Sequence, residues 1–271
     1  MSEILKGLGN ILGKFGRGPE VTDTINQACS VGGTPSVSVR NPVGSVRVMA
    51  GGAGQITLSA TRRVRGVTTD ATQGDLEHIS VNATQEGDAV RIEVQVRQPV
   101  IGSLSHRVDL DVTVPAATTL DTVLNAGNLE VTGLRSKLGI RVDAGNLELK
   151  DISGPVVATV SAGNAEGSGV TLGDGSRFTV SAGRLALNGA LVAGANVEVR
   201  VDAGRARLTL APNTATRLEA SAEVGSISIT GWDIPVSRNI VSARAVGDLG
   251  AAASGSLTVH VNIGDITINM G

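Results

Sequence analysis

One short pattern recurs through the middle of this chain and limits what it can fold into. Leu124-Asn-Ala-Gly-Asn-Leu-Glu-Val131 is followed by Val142-Asp-Ala-Gly-Asn-Leu-Glu-Leu149 and Val160-Ser-Ala-Gly-Asn-Ala-Glu-Gly167. Val180-Ser-Ala-Gly-Arg-Leu-Ala-Leu187 and Val201-Asp-Ala-Gly-Arg-Ala-Arg-Leu208 continue it, with degenerate copies at 220–227 and 261–268. The repeat glycines Gly127, Gly145, Gly163, Gly183, Gly204 and Gly225 are spaced 18, 18, 20, 21 and 21 residues apart. Such a period is too short for a two-helix repeat, which needs about 33 residues, and fits one coil of a β-solenoid. Apolar residues alternate with polar ones as in a strand, and the parity shifts at the glycine, so a corner belongs there. Glycine accepts positive φ at no steric cost.

Stacking the copies predicts side-chain columns about 4.8 Å apart. One column, expected to face inward, is Ala126, Ala144, Ala162, Ala182, Ala203 and Ala222; a second is Leu129, Leu147, Ala165, Leu185 and Ala206. Small aliphatics suit a narrow interior, consistent with a chain whose aromatics are Phe15, Phe178 and Trp232 alone. The column after the glycine reads Asn128, Asn146, Asn164, Arg184, Arg205, and its arginines place it on the solvent side, because a buried unpaired guanidinium is very costly.

Residues 35–115 carry β patterning of a different cut. Val37–Arg40 and Ser45–Val48 flank a turn at Asn41-Pro-Val-Gly44, and 55–64, 78–84, 89–96 and 107–114 alternate. Loops are expected at 68–74 and 98–102, and a linker at 19–34. Residues 35–271 then form one stack of ten to twelve layers, about 50 Å long at strand spacing.

Residues 1–18 read as a short amphipathic helix. Ile4, Leu5, Leu8, Ile11, Leu12 and Phe15 make one apolar stripe, Lys6, Lys14 and Arg17 outweigh Glu3, and four glycines weaken it in water. Two roles stay open: a cap on the end of the stack, or contact with an anionic membrane surface. No apolar run is long enough for a membrane span and no secretory core follows Met1, so a cytoplasmic location is expected, free or membrane-peripheral.

The residues offer little chemistry. A net charge of -2 and the scarcity of aromatics argue against nucleic acid as a partner. The single Cys29 excludes an internal disulfide, and His78, His106 and His260 lie far apart in sequence. Gly51-Gly-Ala-Gly54 lacks the Lys-Ser/Thr ending of a phosphate loop and reads as a turn. No catalytic, cofactor-binding or metal-ligating residue is assigned, and no cofactor is expected. The candidate contact residues are outward columns: Glu130, Glu148 and Glu166 occupy one position in three copies, and the face turns basic at Arg184, Arg205 and Arg207. Two copies packed antiparallel on this face would match charge. Arg62, Arg63 and Arg65 form a second basic patch.

The chain resembles the bacterial β-helix family DUF4097, known as the "putative adhesin" family, over most of 36–270. Val37-Ser-Val-Arg-Asn-Pro-Val-Gly-Ser-Val-Arg-Val48 is similar to its opening, Val108-Asp-Leu-Asp-Val-Thr-Val-Pro115 to its middle, and the glycine-centred copies, clearest over 120–231, to its repeats. The resemblance implies a stacked β-helix and no catalysis. The expectation is therefore an all-β, single-stranded β-solenoid of about 18–22 residues per coil, behind a short N-terminal helix. Its function is a non-enzymatic, adhesin-like interaction module presenting flat faces to a protein or envelope partner. The alternative is a membrane-peripheral cytoplasmic scaffold or envelope-stress component anchored by residues 1–18.

Overall fold

The computed structural model describes residues 19–97, 103–251 and 253–271. The expected amphipathic helix, with Ile4, Leu5, Leu8, Ile11, Leu12 and Phe15, lies outside the described residues, as does the loop at 98–102. What is described is all-β apart from one helix, and its strands join into one open sheet.

The repeat region sets the plan. Strands β8 (Thr119–Thr132), β9 (Leu138–Lys150), β11 (Val156–Leu172), β12 (Ser176–Leu191) and β13 (Asn196–Leu210) lie side by side in parallel, equivalent residues opposite one another. Each is one strand with two arms. In β8 the first arm buries Leu120, Thr122 and Leu124, and the second buries Leu129 and Val131. Between them Gly127 turns the chain at φ 139°. This geometry admits glycine alone. A Cβ on Gly145 would stand 1.7 Å from the carbonyl oxygen of Gly127, and one on Gly163 would stand 1.7 Å from that of Gly145. The same corner occurs at Gly44, between β2 (Ser36–Val43) and β3 (Val46–Gly51), where sequence reading placed an ordinary turn: Gly44 has φ 136°, and Val43 pairs with Ala126.

The core columns follow in register. Leu129, Leu147, Ala165, Leu185 and Ala206 are all buried. Phe178, the largest buried side chain, sits in register between Ala158 and Val199, so a small neighbour below makes room for the ring. The alanine column corrects the expectation. Ala144, Ala162, Ala182 and Ala203 are exposed and Ala126 half-exposed, because the chain starts its turn at the alanine, one residue before the glycine. Ala222, which is buried, pairs with Val261 and belongs to the valine column instead.

At the low-numbered end the arms diverge. On the first, β2 pairs with β6 (Ala89–Val96) and β6 with β5 (Ile79–Glu86). On the second, β3 pairs with β7 (Ser103–Pro115), β7 with β4 (Gln55–Gly66), and β4 with β1 (Glu20–Ser30). The segment expected as a linker is thus an eleven-residue strand, and its alternation is masked because its inward positions include Asp23 and Gln27. The loop expected at 68–74 is helix α1 (Thr69–Glu77). It buries Thr72, Asp75 and Leu76, and the Thr72 hydroxyl donates to the Thr68 carbonyl at 2.6 Å. Of the buried positions described in it, two are polar, so no apolar periodicity announced it.

At the other end the order of the chain is broken. The strand beside β13 is β18 (Ser256–Met270), and β14 (Thr216–Val224) and β15 (Ile227–Thr230) pair with the far side of β18. The glycine contacts agree: a Cβ on Gly264 meets the Gly204 oxygen at 1.6 Å, and one on Gly225 meets the Gly264 oxygen at 1.8 Å. Antiparallel β17 (Ala243–Leu249) and β16 (Val236–Arg238) finish the first arm, and Trp232 packs against the core there.

Candidate functional site

Because successive layers are in register, an outward position becomes a straight row. On the second arm one row runs Arg47, Glu130, Glu148, Glu166, Ala186, Arg207, Thr267. The row beside it runs Asn128, Asn146, Asn164, Arg184, Arg205, Asp265. The six residues singled out in the sequence therefore share one face, in the predicted order from acidic to basic.

The asparagines form a ladder on this face. Asn146 Nδ2 donates to Asn128 Oδ1 at 3.1 Å, and Asn164 Nδ2 donates to Asn146 Oδ1 at 3.2 Å. The glutamates would repel one another if left alone. Cations of the same chain neutralise them: Lys150 Nζ lies 2.9 Å from Glu130 and 2.8 Å from Glu148, and Arg47 bridges Glu130 at 3.1 Å and Asp111 at 2.9 Å. Hydrogen bonds from Lys150, and then from Arg47, hold the Glu130 carboxyl below the usual range; those Lys150 donates to Glu148 and Glu130 push its own ammonium up. Among the described residues no three His, Cys, Asp or Glu side chains are grouped to hold a metal ion.

Where β3 and β7 meet β8, this face is hollowed into a trough of about 750 Å³. Its floor is the Asn and Glu rows of β8, β9 and β11, and its wall carries Arg47, Arg63, Arg107, Asp109 and Asp111. Arg107 Nε contacts Asp109 at 2.7 Å and its Nη2 donates to Ser45 Oγ at 2.8 Å. Arg63 stands 3.7 Å from Asp109. Glu166 is exposed on the floor, outside the Lys150 bridges to Glu130 and Glu148, and Arg184 and Arg207 are exposed past the trough's end. Arg205 is 3.8 Å from Asp265. Sequence reading found the floor because it lies in the repeat. Of the wall it named Arg63 alone, as part of the second basic patch, and it missed the rest because β3 pairs with strands 64 to 83 residues away, as the Arg47 contacts do.

The other basic patch is consumed within the chain. Arg62 pairs with Asp23 and donates to the Ile79 carbonyl at 2.8 Å, and Arg65 meets Glu20 at 2.7 Å. His260 has a hydroxyl and an acidic neighbour: its Nδ1 is 2.8 Å from Ser221 Oγ and its Nε2 is 3.5 Å from Glu223. These residues sit on adjacent parallel strands, with Glu223 65% exposed, and the backbone around Ser221 and His260 belongs to the β14–β18 ladder. A nucleophile needs oxyanion donors preorganised beside it, and a ladder backbone is committed elsewhere.

Neither a known family profile nor a curated protein sequence matches the chain. Solved structures similar to it include a "putative cell adhesion protein" from Clostridium sporogenes, 12% identical, with a TM-score of 0.38 over 92% of this chain and 100% of that one. A "putative adhesin" from Bacteroides fragilis is 10% identical, with a TM-score of 0.33 over 91% and 97%. A "putative lipid binding protein" from Parabacteroides distasonis is 10% identical, with a TM-score of 0.27 over 92% and 97%.

Proposed function

We propose that this chain is a non-enzymatic interaction module, a β-solenoid of the adhesin-like DUF4097 kind, whose trough receives an extended polar partner. The observation that carries this reading is the register: charged and amide side chains stand in straight rows along a rigid sheet. A ligand that is itself a linear repeat of polar groups, such as a peptide strand or an envelope glycan, meets the same chemistry about every 4.8 Å. The mixed signs of the trough favour a partner bearing both charges or many hydroxyls, and electrostatic pairing there sets specificity more than affinity.

The test is a binding screen against envelope glycans and surface proteins, run with full-length protein and with Glu148→Arg, Glu166→Arg and the distant Glu198→Arg. Loss of binding in the first two, with the third unaffected, supports the trough. Equal binding by all three removes it.

A second reading rests on the sequence of residues 1–18, whose apolar stripe and three basic residues suit an anionic bilayer. It makes the chain a membrane-peripheral scaffold. Anionic liposomes should pellet the native protein but not Leu8→Asp; unchanged pelleting would sink this reading.

A further inference from the structure

We infer that β1 is a dimerisation edge, pairing antiparallel with β1 of a second copy of this chain across a two-fold axis at Ile25. The inference is independent of what the trough binds.

Strand β1 is the last strand of the second arm, and among the described residues β4 is its one strand partner. The phase of its hydrogen bonds is fixed at both ends: Gly66 donates to the Pro19 carbonyl at 3.2 Å, and Val31 donates to the Gly54 carbonyl at 3.0 Å. Antiparallel ladders alternate, so odd-numbered residues bond β4 and even-numbered ones aim their N–H and C=O groups away from it. Those are Glu20, Thr22, Thr24, Asn26, Ala28 and Ser30. A side chain already uses this edge, since Gln85 Nε2 donates to the Ser30 carbonyl at 2.7 Å.

Exposed edges are normally blunted by proline, lysine, a bulge, shortness or an inward-pointing charge, and the inward charge of β1, Asp23, is neutralised by Arg62. Strand β1 has no proline and no lysine, pairs with β4 without a register shift, and runs eleven residues. The edge strands at the other end have three and four residues.

The sequence selects one register. Pairing the whole strand with its own copy places Ile25 opposite Ile25, Val21 opposite Cys29, Asp23 opposite Gln27, Thr24 opposite Asn26, Thr22 opposite Ala28, and Glu20 opposite Ser30. Even residues then oppose even residues, which are the ones whose backbone groups point away from β4, and of these only the Ser30 carbonyl, held by Gln85, must exchange its partner. Val21, Ile25 and Cys29, partly buried against the core, each gain an apolar neighbour. Sliding the copy by two residues either sets Asp23 against Ile25 or sets it against Cys29. Sliding it by four leaves seven of the eleven residues paired, and one of the two directions sets Asp23 against Asp23. A two-fold interface must be self-complementary, and this register is the one that also pairs all eleven residues. The charged face offers less, because Glu130, Glu148 and Arg205 already have partners in their own chain.

Val21 and Cys29 face each other as a non-hydrogen-bonded pair, with Cα atoms about 4.5 Å apart, inside the range a disulfide spans. Cys29 is the only cysteine, so V21C creates two symmetric inter-chain crosslinks. Full-length protein should sediment at twice 27.4 kDa at 100 µM chain. On oxidation V21C should form disulfide-linked dimer at least tenfold more than wild type or T22C, with the 21–29 link found by peptide mapping. Thr24→Pro removes an outward N–H that β4 does not use, so it should sediment as monomer with its circular dichroism and melting temperature kept; Asn26→Pro should repeat this. Monomeric wild type, V21C crosslinking no better than T22C, or dimer persisting in folded Thr24→Pro would each overturn the inference.

Discussion

The glycine column makes the sharpest stability prediction, through Gly163→Ala. A Cβ at residue 163 would lie 1.7 Å from the Gly145 oxygen, whereas real Cβ contacts stay beyond 3.0 Å, so the layers must separate by at least 1.3 Å at that corner. The obstacle is backbone on both sides and has no rotamer to escape into. Forcing alanine to φ 141° costs about 1–3 kcal/mol by itself. Separating two layers that far stretches the ladder bonds flanking the corner past bonding distance, and three or four bonds at about 1 kcal/mol each add a similar amount. The expected loss is about 5 kcal/mol, in the range reserved for gross backbone or core damage. Two controls separate the contributions. Gly175→Ala has φ 76° but nothing within 4 Å, and should lose only about 1–2 kcal/mol for the left-handed conformation. Gly33→Ala has neither problem and should be neutral, or stabilising by about 0.4–1 kcal/mol through the unfolded chain. Urea unfolding followed by circular dichroism ranks the three. Should Gly163→Ala lose no more than Gly175→Ala, the claim that the stacked carbonyl excludes a side chain is wrong.

Other outcomes follow from the same contacts. Phe178→Ala removes the largest fully buried side chain of the described residues and should cost about 3–5 kcal/mol, with Phe178→Leu recovering at least half; a loss under about 1.5 kcal/mol would mean the layers collapse onto Ala158 and Val199. Because Lys150 and Arg47 depress the Glu130 carboxyl, its stabilising contribution is present above the unfolded value of about 4.3 and is lost as pH falls through the lower folded value. Lys150→Met should therefore flatten the fall in stability between about pH 5 and 3, and an unchanged profile would show that the pair adds nothing. Ile266→Asp, buried in β18 between Ala206 of β13 and Ile227 of β15, should unfold β15 and the second arm of β13 together with β18, which amide hydrogen exchange would detect as loss of protection on both flanking strands.

Much of this architecture was legible in the residues because a backbone requirement leaves a mark that a packing preference does not. Gly127, Gly145, Gly163, Gly183 and Gly204 are irreplaceable at their corner, so the period and the outward rows follow directly. The alanine column misled because strict alternation was carried one residue too far into the bend. Gly44 was missed because its copy has a proline and no Asn-Leu-Glu after it, although its φ and its contact with the next layer match the others. The trough's wall, helix α1 and the β1–β4 pair depend on partners distant in sequence, which local patterns do not encode. Strand β18 was legible as a repeat but not in its place, since nothing local to 261–268 says which two copies it lies between.

That place bears on how the chain is made. Residues leave the ribosome at about 5–20 per second, and earlier segments fold first. When Leu210 has emerged, layers β8 to β13 are ready to stack, yet the neighbour β13 requires is encoded 46 residues later, starting at Ser256. During those seconds β13 presents a long parallel edge, and β14, its successor in the chain, is the nearest wrong guest. Strands β14 and β18 both bury alternate residues along the first arm, Leu218 and Ala220 in β14, Leu257 and Val259 in β18, so the correct order depends on β18 displacing or forestalling β14. The last strand thus works as a keystone, and translation that stalls within it leaves a stack with two adhesive edges in place of a closed seam.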